Sequence, residues 1–193
     1  AVEWGRGIYE NFKRFIQFQL TVNVSSVIVV LSSILLGLKA PFTALQLLWI
    51  NIIMDGPPAL TLGLEPIHED LMEKRPTRRE DNILSPAMLL RIGLTALYIS
   101  TVFLCQYLFN FLGVSAAQMP TVLFALFALF QLFNAFSCRG LHQGSIFKTL
   151  LRDRIMLVVL GLTFLLQVLF IQFGGAFFGT VALPLALWGK LFG

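Results

Sequence analysis

Charge is scarce in this sequence. Of its 193 residues 12% are charged and 57% are hydrophobic, and the mean hydropathy is +0.82. A soluble globular domain usually carries about 25% charged residues, because its surface must stay hydrated. The composition therefore excludes an ordinary water-soluble enzyme or binding module and indicates a polytopic membrane protein.

Cysteine, histidine and nucleotide-binding motifs are also rare or missing. The two cysteines, Cys105 and Cys138, lie in apolar stretches without metal-ligand spacing, so we interpret them as small packing residues. No Walker loop and no catalytic-triad pattern occurs, and neither histidine suggests a ligand or a catalyst. The sequence therefore predicts no catalytic residue and offers no recognisable route for binding ATP.

Long uncharged stretches predict the topology. They run Phe15–Leu38, Ile92–Cys138 and Ile155–Gly189, and Ala40–Leu64 carries Asp55 as its single charge. A membrane-spanning helix needs about 20 apolar residues, so the two longest stretches must each fold back as a hairpin. The result is one all-α membrane domain over 1–193 with a loop at 65–87. Its six predicted spans are 12–38, 43–64, 88–112, 119–138, 154–173 and 178–193.

Basic residues predict the orientation of these spans, because Lys and Arg accumulate in cytoplasmic loops. Alternate loops place thirteen basic residues, including Lys190, on one face of the membrane and Lys39 alone on the other. Both termini and the 65–87 loop are therefore predicted to be cytoplasmic. The sequence pI of about 9.4 follows from this topology and gives no reason to expect nucleic-acid binding.

One acid interrupts the second predicted span, directly before Gly56 and a double proline. An acid within a membrane helix costs roughly 2.5–3.5 kcal/mol on insertion scales, so Asp55 is a candidate functional residue. Pro57 and Pro58 have no backbone N–H, which deprives the carbonyls of Ile53 and Met54 of their helical partners. We therefore predict a hinge formed by Gly56, Pro57 and Pro58, beside a carboxylate and two free carbonyls.

Carboxylate, amide and carbonyl oxygens are the ligands of hard cations, and Ca²⁺ takes about 6–8 of them. Asn51 lies four residues before Asp55, a spacing that places both side chains on one face of a straight helix. Asn23 lies near the middle of the first span, which a short connection makes the antiparallel neighbour of the second. The simpler alternatives are a proline kink with a paired acid, and helix-packing amides.

Two further observations qualify this cation site. Gln131, Asn134 and Ser137 form a polar stripe in the fourth span, and we interpret Gln131 as a helix-packing residue in preference to a ligand. Asp55 is the only acid in any predicted span, so a divalent ion would keep about one uncompensated charge. Either the ion is monovalent, or another helix supplies a second acid, or the sequence is a fragment.

Several strings in the sequence carry a resemblance to a known family. They are Phe-Gln-Leu-Thr-Val-Asn at 18–23, Asn-Ile-Ile-Met-Asp-Gly-Pro-Pro at 51–58 and Met-Glu-Lys-Arg-Pro at 72–76. The sequence resembles the C-terminal membrane half of type II P-type cation-transporting ATPases, especially the plasma-membrane (type IIB) calcium pumps. The similarity is dense over 4–76 and fades to hydropathy and isolated motifs in the last four spans.

The resemblance implies that the spans correspond to helices five to ten of a ten-helix pump that transports Ca²⁺. Asn23 then matches a ligand of the fifth helix, and Asn51 and Asp55 match ligands of the sixth. The remaining acid ligand belongs to a fourth-helix Pro-Glu-Gly-Leu motif, which this sequence lacks. Ser26 and Met54 stand where two-calcium relatives carry further ligands, which favours a single-calcium site.

The resemblance also implies partners outside this sequence. The Asp-Lys-Thr-Gly motif of the phosphorylated Asp is missing, as are the domains that bind ATP and Mg²⁺. The chain alone is thus expected to be inactive and to work with upstream helices and cytoplasmic domains, against which the 65–87 loop would dock. Two alternatives remain: a sodium, potassium or proton pump of the same superfamily, and a stand-alone channel or secondary transporter.

Overall fold

The computed structural model describes residues 2–63, 83–139 and 154–192. Within these ranges every regular element is helical, which confirms the predicted all-α class. The predicted loop at 65–87 lies largely outside the described residues, and so does His142. The helices are α1 (Val2–Leu35), α2 (Ala44–Trp49), a π-helix (Ile50–Met54), α3 (Gly56–Gly63), α4 (Pro86–Phe109), α5 (Met119–Arg139), α6 (Arg154–Phe173), α7 (Gly175–Phe178) and α8 (Leu185–Phe192).

Four helices in the described ranges, α1, α4, α5 and α6, are long and apolar enough to cross a membrane. α1 has 34 residues, or roughly 50 Å at about 1.5 Å per residue, so it is longer than a bilayer core of about 30 Å. The second predicted span is divided into α2, the π-helix and α3, and α8 has only eight residues. The number of six spans therefore stays a prediction.

α5 lies at the centre of the bundle. In its most apolar 18-residue window 78% of the residues are buried, against 33% in each of the other three long helices. α1 packs against α3, α4 and α5, while α6 packs against α3 and α5. The outer helices expose many large apolar side chains, such as Leu31, Leu94 and Leu162, which suit contact with lipid.

Local capping signals explain where the helices begin and end. Gly37 adopts a φ of 67° after α1, and the N–H of Leu38 donates to the carbonyl of Ser33 at 2.9 Å. With the Gly37 N–H bond to Ile34 this is a Schellman motif, which favours glycine at the left-handed position. Thr43 and Gln46 form a reciprocal capping box at the start of α2. These two signals fix the short connection between α1 and α2.

The structure differs from the predicted last span, 178–193. α7 ends at Phe178 and is followed by Gly179, which has a φ of 66°, and α8 begins only at Leu185. Between them, the N–H of Val181 donates to Thr121 Oγ1 at 2.9 Å, and Gln172 exchanges two hydrogen bonds with Leu183. Side chains of α5 and α6 thus satisfy backbone groups of a non-helical segment, and α8 follows Pro184, which has no N–H that needs a partner there.

The late start of α8 corrects the predicted position of Lys190. Its Nζ donates to the carbonyl of Leu112 at 3.2 Å, in the connection between α4 and α5. The sequence prediction had placed Lys190 on the opposite face from this connection. Lys190 is only the sixth residue of α8, so its amine still reaches the end of the bundle at which α8 begins. With the other residues kept at their predicted positions, the predicted charge asymmetry becomes twelve basic residues against two.

We expect Gly37→Ala to lower the stability of the fold by about 1 kcal/mol, because a side chain strains the left-handed conformation. A Cβ at Gly37 would meet no atom within 4 Å, so the cost comes from the backbone alone. Gly161→Ala is the matched control, since this glycine is helical and its Cβ would also meet nothing within 4 Å. Gly161→Ala should stabilise the fold. The measurement is the folded fraction after graded heating in detergent, and equal effects of the two changes would contradict the capping role.

Candidate cation site in the broken helix

The broken helix is built around a wide turn. The N–H of Asp55 donates to the carbonyl of Ile50 at 2.9 Å, a bond that spans five residues where an α-helix spans four. Single π-turns of this kind are rare and often mark functional sites. The new helix α3 then begins at Gly56, so Pro57 and Pro58 lie in its first turn, where the missing N–H groups have no helical partner to serve. The prolines therefore start a helix as well as ending one.

Asp55 is buried at the junction of the π-helix and α3. Its side chain is only 1% exposed, and its Oδ1 atom has no hydrogen-bond partner among the described residues. A buried ionised carboxylate is costly unless a cation or several donors compensate it. The described acids are few, and no cluster of three His, Cys, Asp or Glu side chains forms in this part of the chain. The arrangement leaves Asp55 with unmet capacity to bind a cation.

The two asparagines predicted as ligands differ from Asp55 in their exposure. Both Asn23 and Asn51 are exposed in the described bundle. The Nδ2 atom of Asn23 donates to the carbonyl of Gln19 at 3.0 Å, one turn earlier in α1. Asn51 lies inside the π-helix, whose different rotation per residue removes the simple alignment expected of residues four apart in an α-helix. The structure thus buries the acid and leaves both amides at the surface.

Gln131 occupies a buried polar junction between three helices. Its side chain is fully buried, and its Nε2 lies 3.5 Å from Ser25 Oγ in α1. The carbonyl of Ser25 in turn accepts a hydrogen bond of 3.3 Å from Ser100 in α4. These contacts join α1, α4 and α5, as a helix-packing residue would, although Gln131 Oε1 has no partner among the residues described.

The sequence analysis did not predict a hydrogen bond that holds α2, the first segment of the broken helix. Trp49, the last residue of α2, donates from Nε1 to Gln167 Oε1 in α6 at 2.7 Å. Gln167 is one of two amides, with Gln172, in an otherwise strongly apolar span, and such residues usually face a polar partner. That signal is visible in the sequence, but the identity of the partner depends on the tertiary packing of α2 against α6.

A membrane-helix bundle with a buried acid at a broken helix defines a class, that of proteins that carry ions across membranes. The sequence pattern of the family described as "Cation transporting ATPase, C-terminus" matches residues 39–193. This chain belongs to that family. It is 35% identical over 198 residues to "Calcium-transporting ATPase 10, plasma membrane-type" of Arabidopsis thaliana, an alignment that covers 97% of this chain and 18% of the relative.

Other relatives carry similar names. "Calcium-transporting ATPase 2, plasma membrane-type" of Arabidopsis thaliana is 38% identical over 194 residues, with 97% of this chain and 19% of the relative covered. "Plasma membrane calcium-transporting ATPase mca-1" of Caenorhabditis elegans is 33% identical over 201 residues, with 97% and 16% covered. The chain thus spans less than a fifth of the length of these relatives and resembles the C-terminal part of plasma-membrane-type calcium pumps.

We expect Asp55→Asn to raise the thermal stability of the protein in calcium-free detergent, because it removes a buried charge without a full set of partners. The same change should abolish any further stabilisation by added Ca²⁺. The measurement is the apparent melting temperature with Ca²⁺ and with a chelator. Glu10→Gln is the matched control, since Glu10 pairs with Lys13 at 3.9 Å in a partly exposed contact. A lower melting temperature for Asp55→Asn without calcium would contradict the interpretation.

Proposed function

We propose that this chain supplies part of the ion path of an ATP-driven calcium pump. The observation that carries the proposal is the buried, incompletely partnered carboxylate of Asp55 beside the π-turn. Membership of the cation-transporting ATPase family and the names of the relatives support Ca²⁺ as the transported ion. In this proposal Ca²⁺ is the cargo of the site, which it enters and leaves in each cycle.

The proposed site holds a single calcium ion. Asp55 provides the carboxylate, Asn51 and Asn23 provide amide oxygens, and the backbone carbonyls of Ile53 and Met54 provide further oxygens that suit Ca²⁺. The Nδ2 atom of Asn23 is already engaged on its own helix, so its oxygen is the atom left for a ligand. Gly56, Pro57 and Pro58 act as the hinge that lets α3 move relative to α2.

The exposure of both asparagines supports a site that is shared with another part of the protein. Amide side chains on the outer face of an apolar bundle have no water to bind them inside a membrane. A further helix that packs on this face would cover Asn23 and Asn51 and could bring the second carboxylate that charge balance requires. Upstream membrane helices of the same pump are the proposed source of that helix.

The remaining parts of the pump cycle lie outside this chain in the proposal. ATP and Mg²⁺ bind to cytoplasmic domains upstream, and the phosphorylated Asp belongs to them as well. The N-terminus and the 65–87 loop face the cytoplasm, the loop contacts those domains, and the host membrane is the plasma membrane or a bacterial inner membrane. This chain alone then neither hydrolyses ATP nor transports ions.

The test is ATP-dependent uptake of radioactive calcium by vesicles that contain the whole gene product carrying this chain. We expect Asp55→Asn to abolish uptake, because the site loses its only carboxylate in the described helices. Asn23→Ala and Asn51→Ala should each raise the half-saturating calcium concentration about tenfold, since each removes one ligand worth roughly 1.4 kcal/mol. Glu10→Gln, the acid in the Lys13 pair, should leave uptake unchanged.

The same vesicles separate this proposal from other functions. Calcium uptake that continues without ATP would indicate a channel or secondary transporter. ATP-dependent transport of sodium, potassium or protons that needs Asp55, without calcium transport, would indicate a pump for another ion. Normal calcium uptake in Asp55→Asn would contradict the proposed site.

A further inference from the structure

The hydrogen bond between Trp49 and Gln167 lies one residue before the π-helix. At 2.7 Å between Trp49 Nε1 and Gln167 Oε1 it is short for an indole donor, and the Gln167 side chain is only 1% exposed. Water does not compete for such a bond, and the low dielectric of the surroundings strengthens it. The end of α2 is therefore held to α6 by a directional contact immediately before the turn that carries Asp55.

Aromatic packing holds the same point of the chain from a second direction. The ring of Trp49 lies 3.9 Å from the ring of Phe170, between centroids, one turn further along α6. Phe170 also contacts Phe124 of α5 and Phe178 of α7, with centroids 5.9 and 3.9 Å away. Trp49 thus rests on an aromatic cluster that involves three other helices.

Gln46 adds a third attachment one turn earlier in α2. Its Nε2 donates to the carbonyl of Phe178 at 3.2 Å, while its Oε1 closes the capping box with Thr43. α2 therefore contacts the α6–α7 region at two successive turns. Because a hydrogen bond restricts rotation about the helix axis as well as sliding along it, α2 has a fixed register on α6.

The Gln167 amide makes only one of the contacts that it could make. Its Nε2 is buried and has no partner among the described residues. An apolar side chain of the same length would fill this position in α6 without burying an unpaired donor. The specific contribution of the amide is therefore the acceptor that it offers to Trp49.

We propose that Trp49 and Gln167 are positioning residues that set the rotation of the π-turn and so place the Asp55 carboxylate for calcium. They do not contact the ion. The inference rests on the proposed calcium site and adds to it the residues that orient that site. On this proposal the pair holds α2 directly before the π-turn, while α3, beyond the hinge, is held by its own packing against α1 and α6.

The experiment uses Trp49→Phe, Gln167→Met and the double variant in the whole gene product, with calcium uptake measured in vesicles. Trp49→Phe keeps a ring against Phe170 and removes the N–H, and Gln167→Met keeps the length and removes the acceptor. We expect each single change to raise the half-saturating calcium concentration about three- to tenfold, with a near-normal maximal rate. The double variant should add little to either single change, because both remove the same bond.

Trp188→Phe is the matched control. Trp188 is also a buried tryptophan of the bundle, but its Nε1 has no partner in the described part of the chain. The same chemical change there should leave the half-saturating concentration unchanged. The calcium dependence of protection against heat is measured on the same membranes, because it gives the half-saturating concentration even for a variant with no turnover.

The possible outcomes distinguish the two proposals. If Asp55→Asn abolishes uptake while both variants of the pair keep the normal half-saturating concentration, the positioning role is wrong and the calcium site stands. A lower maximal rate at unchanged half-saturation also overturns it, since that result shows a purely structural bond. If Asp55→Asn itself leaves calcium uptake and calcium protection normal, the calcium site fails, and the positioning role fails with it.

Discussion

The structure of the broken helix depends on one constraint, the need to satisfy backbone hydrogen bonds in an apolar environment. Two consecutive prolines cannot donate to Ile53 and Met54, so an ordinary α-helix cannot continue through Asp55. The chain responds with the π-turn from Ile50 and then restarts as α3. In the proposed site, the carbonyls of Ile53 and Met54 and the carboxylate of Asp55 lie at this break, so the same backbone defect would supply both the ligands and the hinge.

Most helix positions could be predicted from the sequence because they depend on composition and on local signals. The helix Arg154–Phe173 coincides with the stretch predicted at 154–173, and Met119–Arg139 lies close to 119–138. The last span differed because its path depends on tertiary contacts. Thr121 and Gln172 supply hydrogen bonds to the non-helical residues 181 and 183, and no local pattern shows that two distant side chains will do so. The position of Lys190 could not be predicted for the same reason.

The candidate site could be predicted in part. Asp55 was recognisable because an acid in an apolar span is rare and expensive. That Asp55 is buried while Asn51 is exposed could not be predicted. Spacing arguments assume a regular α-helix, and the π-turn changes the rotation per residue about the helix axis. The Trp49–Gln167 bond could be predicted only in part, since an amide within an apolar span is visible in the sequence and its partner is not.

Two buried amides of the bundle, Gln131 and Gln167, make contacts of different length, and the difference bears on how the helix can move. Gln131 joins α5 to α1 away from the break, through a weak contact of 3.5 Å to a hydroxyl that already donates to its own helix. Gln167 holds the segment directly before the break through a short bond of 2.7 Å. α3 is held differently, because it packs against α1 and α6. The short bond lies on the α2 side, and the proposed hinge of Gly56, Pro57 and Pro58 separates it from α3. Movement at the proposed hinge would therefore alter the surroundings of Asp55 without breaking the bond between Trp49 and Gln167.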